Sequence, residues 1–126
     1  EAGSVDSSAA YDYINFNATN LTASGGPGSS PYTSFLGGNF PGNSALADAF
    51  GGSMVRLFDV NSGKYKSALF QTAGDSDGAG YVSCDAGAWR QPGAVKQVQF
   101  FADYGSGFLT GSRFDVFGVL PRMVTA

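Results

Sequence analysis

Nineteen glycines run from Gly3 to Gly118, and Glu1 is the only glutamate in the chain. A glycine inside a helix costs roughly 1 kcal/mol relative to alanine, so a chain punctuated this often, and short of the straight-chain residues that favour helix, does not sustain long helices. Short extended segments joined by turns remain. The intervals between turn residues predict strands at 53–60, 65–72, 80–84, 94–104 and 113–120, with further ones at 11–18 and 32–36. The last shows the two-residue period most clearly. Phe114, Val116, Gly118 and Leu120 fall on one face, which is expected to be buried, with Arg113, Asp115, Phe117 and Val119 opposite. Val98, Phe100, Ala102 and Tyr104 alternate in the same way with Gln97, Gln99, Phe101 and Asp103, so the two segments are expected to pair as a hairpin through Gly105-Ser106-Gly107.

Residues 22–43 form a Gly/Pro/Ser-rich stretch, opening on Gly25-Gly26-Pro27-Gly28-Ser29-Ser30-Pro31 and closing on Asn39-Phe40-Pro41-Gly42-Asn43, and are expected to be mostly loop. Phe35, Leu36 and Phe40 are unusual in such a loop, and packing them onto the chain's own core is slightly preferred to packing them on another subunit. Asn43-Ser44 is placed to cap a short helix from Ala45 to Phe50, closed by Gly51-Gly52. No internal repeat, linker or heptad divides the chain. Residues 1–126 therefore read as one all-β domain, a jelly-roll-like antiparallel β-sandwich with at most one short helix.

Apolar residues make up 43% of the chain and charged residues 13%, about half the charge of an ordinary soluble domain. A surface of Ser, Thr, Asn, Gln and Gly suits one that neighbouring subunits will cover. The net charge of −3 and only seven scattered Lys and Arg argue against nucleic-acid binding, which runs on clustered cations. Cys84 is the only cysteine, which rules out an intrachain disulfide and is expected to be a buried, inert thiol. The apolar runs are too short to span a membrane as helices, and no basic segment followed by an apolar stretch marks a signal peptide. Glu1 in first place fits a chain trimmed, processed or excised from something longer.

Candidate chemistry is sparse. There is no histidine, which removes the commonest general base together with Ser-His-Asp and Cys-His catalysis. Nine aspartates are spread along the chain, as solvated turns and strand edges would have them, and no pair is singled out as a glycosidase dyad. Ala73-Gly74-Asp75-Ser76-Asp77-Gly78-Ala79-Gly80 resembles the start of a calcium loop, yet Ala86 stands where the bidentate glutamate belongs. A tight turn explains the same letters better. Gly105-Ser106-Gly107 and Gly25-Gly26-Pro27-Gly28 lack the helix and lysine of a phosphate cradle. Asn17-Ala18-Thr19 and Asn20-Leu21-Thr22 match the glycosylation pattern by coincidence. No catalytic residue, metal site or cofactor is expected. The aromatics, Trp89 and the tyrosines among them, serve as core and subunit contacts or as a sugar-stacking platform, with core the default. Trp89 is expected to anchor the chain where a loop meets a strand. The candidate core or subunit-contact residues are Phe35, Phe40, Trp89, Phe100, Phe114 and Val116.

The succession Gly51-Gly52-Ser53-Met54-Val55-Arg56-Leu57-Phe58-Asp59, Lys64-Tyr65-Lys66-Ser67-Ala68-Leu69-Phe70, Gly87-Ala88-Trp89-Arg90, Val95-Lys96-Gln97-Val98-Gln99-Phe100-Phe101 and Phe108-Leu109-Thr110-Gly111-Ser112-Arg113-Phe114-Asp115-Val116-Phe117-Gly118-Val119 resembles a pattern of phage virion proteins. In that pattern a Tyr-Lys strand follows a short strand, a Trp precedes a Val-rich strand, and the domain closes on a Gly-Ser-x-Phe strand ending in Tyr-Gly. Phe117-Gly118 stands here for the Tyr-Gly. The resemblance implies a jelly-roll sandwich, commonly trimeric, on the outer surface of a capsid or on a tail. Its expected partners are copies of itself and the major capsid protein, as a cement or decoration protein. The alternative it implies is a tail-fibre or receptor-binding module for host polysaccharide. The first fifty residues fit the pattern poorly and are left for contacts specific to one particle.

Overall fold

The computed structural model describes residues 5–20, 22–27, 32–35, 37–38, 40–41, 45, 47–75, 78–102 and 107–119. It is all-β and sandwich-like: β1 (Tyr11–Thr19), β2 (Thr22–Pro27), β3 (Gly51–Phe58), β4 (Lys66–Asp75) and β5 (Gly80–Trp89) form one antiparallel sheet in the order β2-β1-β5-β4-β3, with a loop layer across one face. Among the described residues there is no helix.

Turn chemistry sets the three hairpins. Asn20 takes the left-handed conformation at φ 53° between β1 and β2, as asparagine does at little cost. Asp59, at φ 59°, opens the β3–β4 turn, and its carbonyl accepts the Ser62 N–H at 3.1 Å. Between β4 and β5 the Asp75 carboxylate accepts the Gly78 N–H at 2.8 Å, with Gly78 at φ 75°. Asp75 and Gly78 of the calcium-like letters thus lie in the β4–β5 connection as turn residues, with Ser76 and Asp77 outside the described residues.

β4 shows why the sheet has two different sides. Lys66, Ala68, Phe70 and Thr72 are buried while Ser67, Gln71 and Ala73 are exposed, so the two-residue period assigns one row to each face. Strand register carries the division across the sheet: Trp89, Gly87, Asp85 and Ser83 stand beside the buried row, then Tyr11, Tyr13, Asn15 and Asn17 of β1. Described residues between β2 and β3 cover this side. Tyr32 exchanges two backbone hydrogen bonds with Tyr11, at 2.9 and 3.1 Å. The Phe35 ring meets Tyr11 edge-on at 5.0 Å and Phe70 at 5.6 Å. The Thr72 hydroxyl sits 3.0 Å from Ser53 Oγ and 3.4 Å from the Gly37 carbonyl. Lys66 is 3% exposed, its ammonium donating to the carbonyls of Ser62, at 2.8 Å, and Lys64. Its charge is met by dipoles at the end of the strand.

Several expectations are corrected. Residues 94–102 and 113–119 carry no ladder hydrogen bonds and form no strands, and no hairpin joins them among the described residues. Phe114 and Val116, expected in a buried row, are 50% and 86% exposed. Alternation alone does not hold a strand, because a two-stranded ribbon without a third strand or a packed face is only marginally stable in water. The stretch 22–43 contains β2: Thr-Ala-Ser-Gly-Gly-Pro has no apolar alternation, and its strand exists because β1 offers an edge. The expected strand at 32–36 shrinks to the bridge at Tyr32, with Leu36 outside the described residues. The short helix does not form in the described part of 45–50, where Asp48 at φ 75° breaks a right-handed path; Asn43, Ser44 and Leu46 lie outside the described residues. Cys84 is exposed.

Gly87 is required by packing: a Cβ there would stand 2.6 Å from the Phe35 ring and 3.0 Å from the Asp12 carbonyl. Gly87→Ala is expected to cost about 1–3 kcal/mol in urea unfolding, by overpacking. In a double-mutant cycle with Phe35→Ala the double variant is expected to lose less than the sum of the two single losses, because the ring that clashes is gone.

Candidate interaction surface

The uncovered side of the sheet is the apolar one. Register places Ile14 and Phe16 of β1, Val82, Cys84 and Ala86 of β5, Leu69 of β4, and Met54 and Phe58 of β3 on this outer face. Ile14, Phe16, Met54, Phe58 and Val82 are all about half exposed. Over β2, β1 and β5 the face dips into an open groove of about 550 Å³, walled by Ile14, Phe16, Ala23, Gly25, Cys84 and Ala86. The covered side buries Ala68 and Phe70 together with the polar Lys66, Thr72, Ser83 and Asp85, whereas the outer face carries Asp12, Arg56, Ser67 and Gln71 among its apolar residues. A sheet is ordinarily stabilised by putting its apolar side against a second layer. Here the loop layer lies on the more polar side, and the side best suited to a core faces outward.

A second apolar surface is the C-terminal arm, residues 94–102 and 107–119. It is fastened to the sheet where the Val95 N–H donates to the Val60 carbonyl at 2.8 Å, beside the β3–β4 turn. Beyond that point it packs mainly on itself. Phe114 stacks on Phe100 at 5.3 Å and meets Phe108 edge-on at 4.8 Å. A tight bend at Gly111, φ 96°, is closed by the Ser112 N–H on the Leu109 carbonyl at 3.0 Å. Arg113 and Asp115 form an exposed ion pair at 2.9 Å, which adds little stability in water. Val116, Phe117 and Val119 are exposed almost in full.

The six candidate residues divide between these environments. Phe35 lies in the covered layer, against Tyr11 and Phe70. Trp89 ends β5, stacks on Tyr11 at 6.2 Å and donates its indole N–H to the Asp6 carboxylate at 2.7 Å. It fastens the N-terminal segment. Phe40 is about half exposed, with its ring edge near Gly51. Phe100, Phe114 and Val116 belong to the arm. Sequence reading missed Ile14, Phe16, Met54, Phe58 and Val82 as an interaction surface. The alternation in 11–18 was visible, but both of its rows are rich in large side chains, so only the pairing could tell inside from outside.

Titrating groups on the covered side act in opposite directions. Burial raises the carboxyl of Asp85, which is 2% exposed, and a hydrogen bond from the Ser83 hydroxyl at 3.1 Å opposes the rise. The hydrogen bond with Tyr32 pushes Tyr13 up to about 12, the two rings lying 4.5 Å apart. Asp6 is held below its ordinary value by the Ser8 hydroxyl and then by the Trp89 indole. Among the described residues, no group of three His, Cys, Asp or Glu side chains is placed to hold a metal ion, and no helix is long and apolar enough to cross a membrane. No protein-family model, curated protein or solved structure matches the chain.

The two carboxylates make stability depend on pH in opposite directions. Asp85 binds its proton more tightly folded than unfolded, so its contribution to stability is present below the unfolded value near 3.9 and is lost as pH rises through the folded value. Asp6 contributes above that unfolded value and loses its contribution as pH falls through its depressed one. Asp85→Asn is therefore expected to raise the thermal midpoint at pH 7 and to leave a profile that falls only on the acid side. Melting curves of both chains between about pH 3 and 8 check this.

Proposed function

We propose that this chain is a structural subunit of a bacteriophage particle, acting as a capsid cement that binds the major capsid protein shell and copies of itself. The phage assignment rests on the resemblance over residues 51–119. The assembly role rests on one observation, the outward-facing apolar sheet side beside an exposed apolar arm. Monomeric proteins rarely keep contiguous apolar patches beyond a few hundred Å² in water. A cement works through such surfaces: bound across the joints of a shell, it stabilises the assembled state in proportion to the contact it adds.

The attachment alternative calls for rings that present a face to sugar and a polar edge to water. Tyr11, Tyr13, Tyr32 and Trp89 are half-buried in the covered layer, and the Trp89 indole N–H is engaged by Asp6, whereas Tyr65 is well exposed. Among the exposed large apolar side chains Phe, Val, Ile and Met far outnumber Tyr, which favours protein contact over glycan.

Cryo-electron microscopy of the source particle tests the proposal. The expected result is density for this sheet at many symmetry-related capsid joints, and shells stripped of the subunit should break at lower temperature and regain resistance when it is added back. Density confined to a few copies at the tail would replace cement by attachment, and absence from the particle would overturn the virion role.

A further inference from the structure

We infer that the outer face of the sheet is covered, in the working form, by the C-terminal arm of a second copy of this chain, so that subunits assemble by exchanging arms. The inference rests on the assembly part of the reading above and not on the phage location. Three observations carry it. Both surfaces are apolar and both are left open within one chain: Phe16 and Phe58 on the sheet and Phe100, Phe101, Phe108, Phe114 and Phe117 on the arm are between 43% and 82% exposed. At about 200 Å² per ring, these phenylalanines alone hold on the order of 750 Å² of open apolar surface per chain. When two chains exchange arms reciprocally each partner buries both its face and its arm, and this is then close to the ~800 Å² per partner of a standard stable interface, before Ile14, Met54, Val82, Val116 or Val119 are considered.

Second, the described residues of the arm leave the sheet face open: nearly all of them are exposed. The arm is tied at Val95 to Val60, and its ring contacts run among Phe100, Phe108 and Phe114, while the sheet face remains half exposed. Third, the arm's alternating Val98, Phe100 and Phe114, Val116 pattern suits a strand that gains its ladder or its packed layer only when laid against another sheet. Exchange of an identical element between protomers supplies that layer without a new fold, and repeated around an axis it closes a ring of subunits.

The exposed native thiol of Cys84 lies on the outer face and serves as the probe. Phe100→Cys, Phe114→Cys and Val116→Cys are each made in a Cys84→Ser chain, mixed with the wild-type chain, and oxidised mildly. The expected result is a reducible two-chain product from at least one mixture, absent when either chain is oxidised alone. The same arm substitutions in a chain retaining Cys84 distinguish the alternative. An intrachain bond with no intermolecular product would place the arm on its own sheet and overturn the inference, as would no cross-link at any of the three positions. Light scattering gives an independent readout. The wild-type mass is expected to be a multiple of 13.0 kDa and to fall to a single chain in Phe16→Asp, whose side chain is exposed and outside the covered layer. A wild-type chain that is monomeric at micromolar concentration would overturn the inference. Failure to find the subunit on a capsid leaves these measurements unaffected.

Discussion

The pairing of β5 with both β1 and β4 holds the sheet together. Tyr11 to Thr19 runs antiparallel to Trp89 to Tyr81 on one side, and Lys66 to Asp75 runs antiparallel to Trp89 to Gly80 on the other. The first of these pairings closes a loop of some seventy residues of sequence, joining the hairpin of β1 and β2 to the meander of β3, β4 and β5. Because side chains alternate, this register also decides which row of every strand meets the covering loop. Gly87 is where the consequence is most visible: placed opposite Tyr13 and Ala68, it leaves the hollow that the Phe35 ring fills.

That register gives the sheet an unusual distribution of polarity. Thr72 is tied to the loop layer at the Gly37 carbonyl, Lys66 to carbonyls of the β3–β4 turn and Ser83 to Asp85 on the same strand, and such satisfied polar groups specify one arrangement of the chain more than they add stability. The Tyr81 hydroxyl is the exception, buried without a partner among the described residues. Ile14, Phe16, Met54, Phe58 and Val82 face the opposite way. The covered side meets the chain's own loop, and the opposite side is left exposed among the described residues.

The proposed assembly role calls for this combination. A chain with few charges and a large apolar fraction would have to close a complete core to stay monomeric. With five strands and a loop layer it closes half of one. What is left over is divided between a sheet face and an arm that are both apolar and both exposed among the described residues.

Much of the fold was legible in the residues. Glycine frequency excluded long helices, the turn letters at Asp75 and Gly78 marked a hairpin, and the extended segments at 11–18, 53–60 and 65–72 coincide closely with β1, β3 and β4, while 80–84 gives only the first half of β5. These features are local, and local sterics and hydrogen bonding act on a few adjacent residues at a time. The existence of β2, the bare state of the arm and the exposure of Cys84 were decided by tertiary structure. A polar Gly-rich segment becomes a strand only where a neighbouring edge completes its hydrogen bonds, and an alternating apolar segment stays unpaired where none is supplied. Alternation says that a strand has two faces; which one meets the interior depends on what the rest of the chain lays against it.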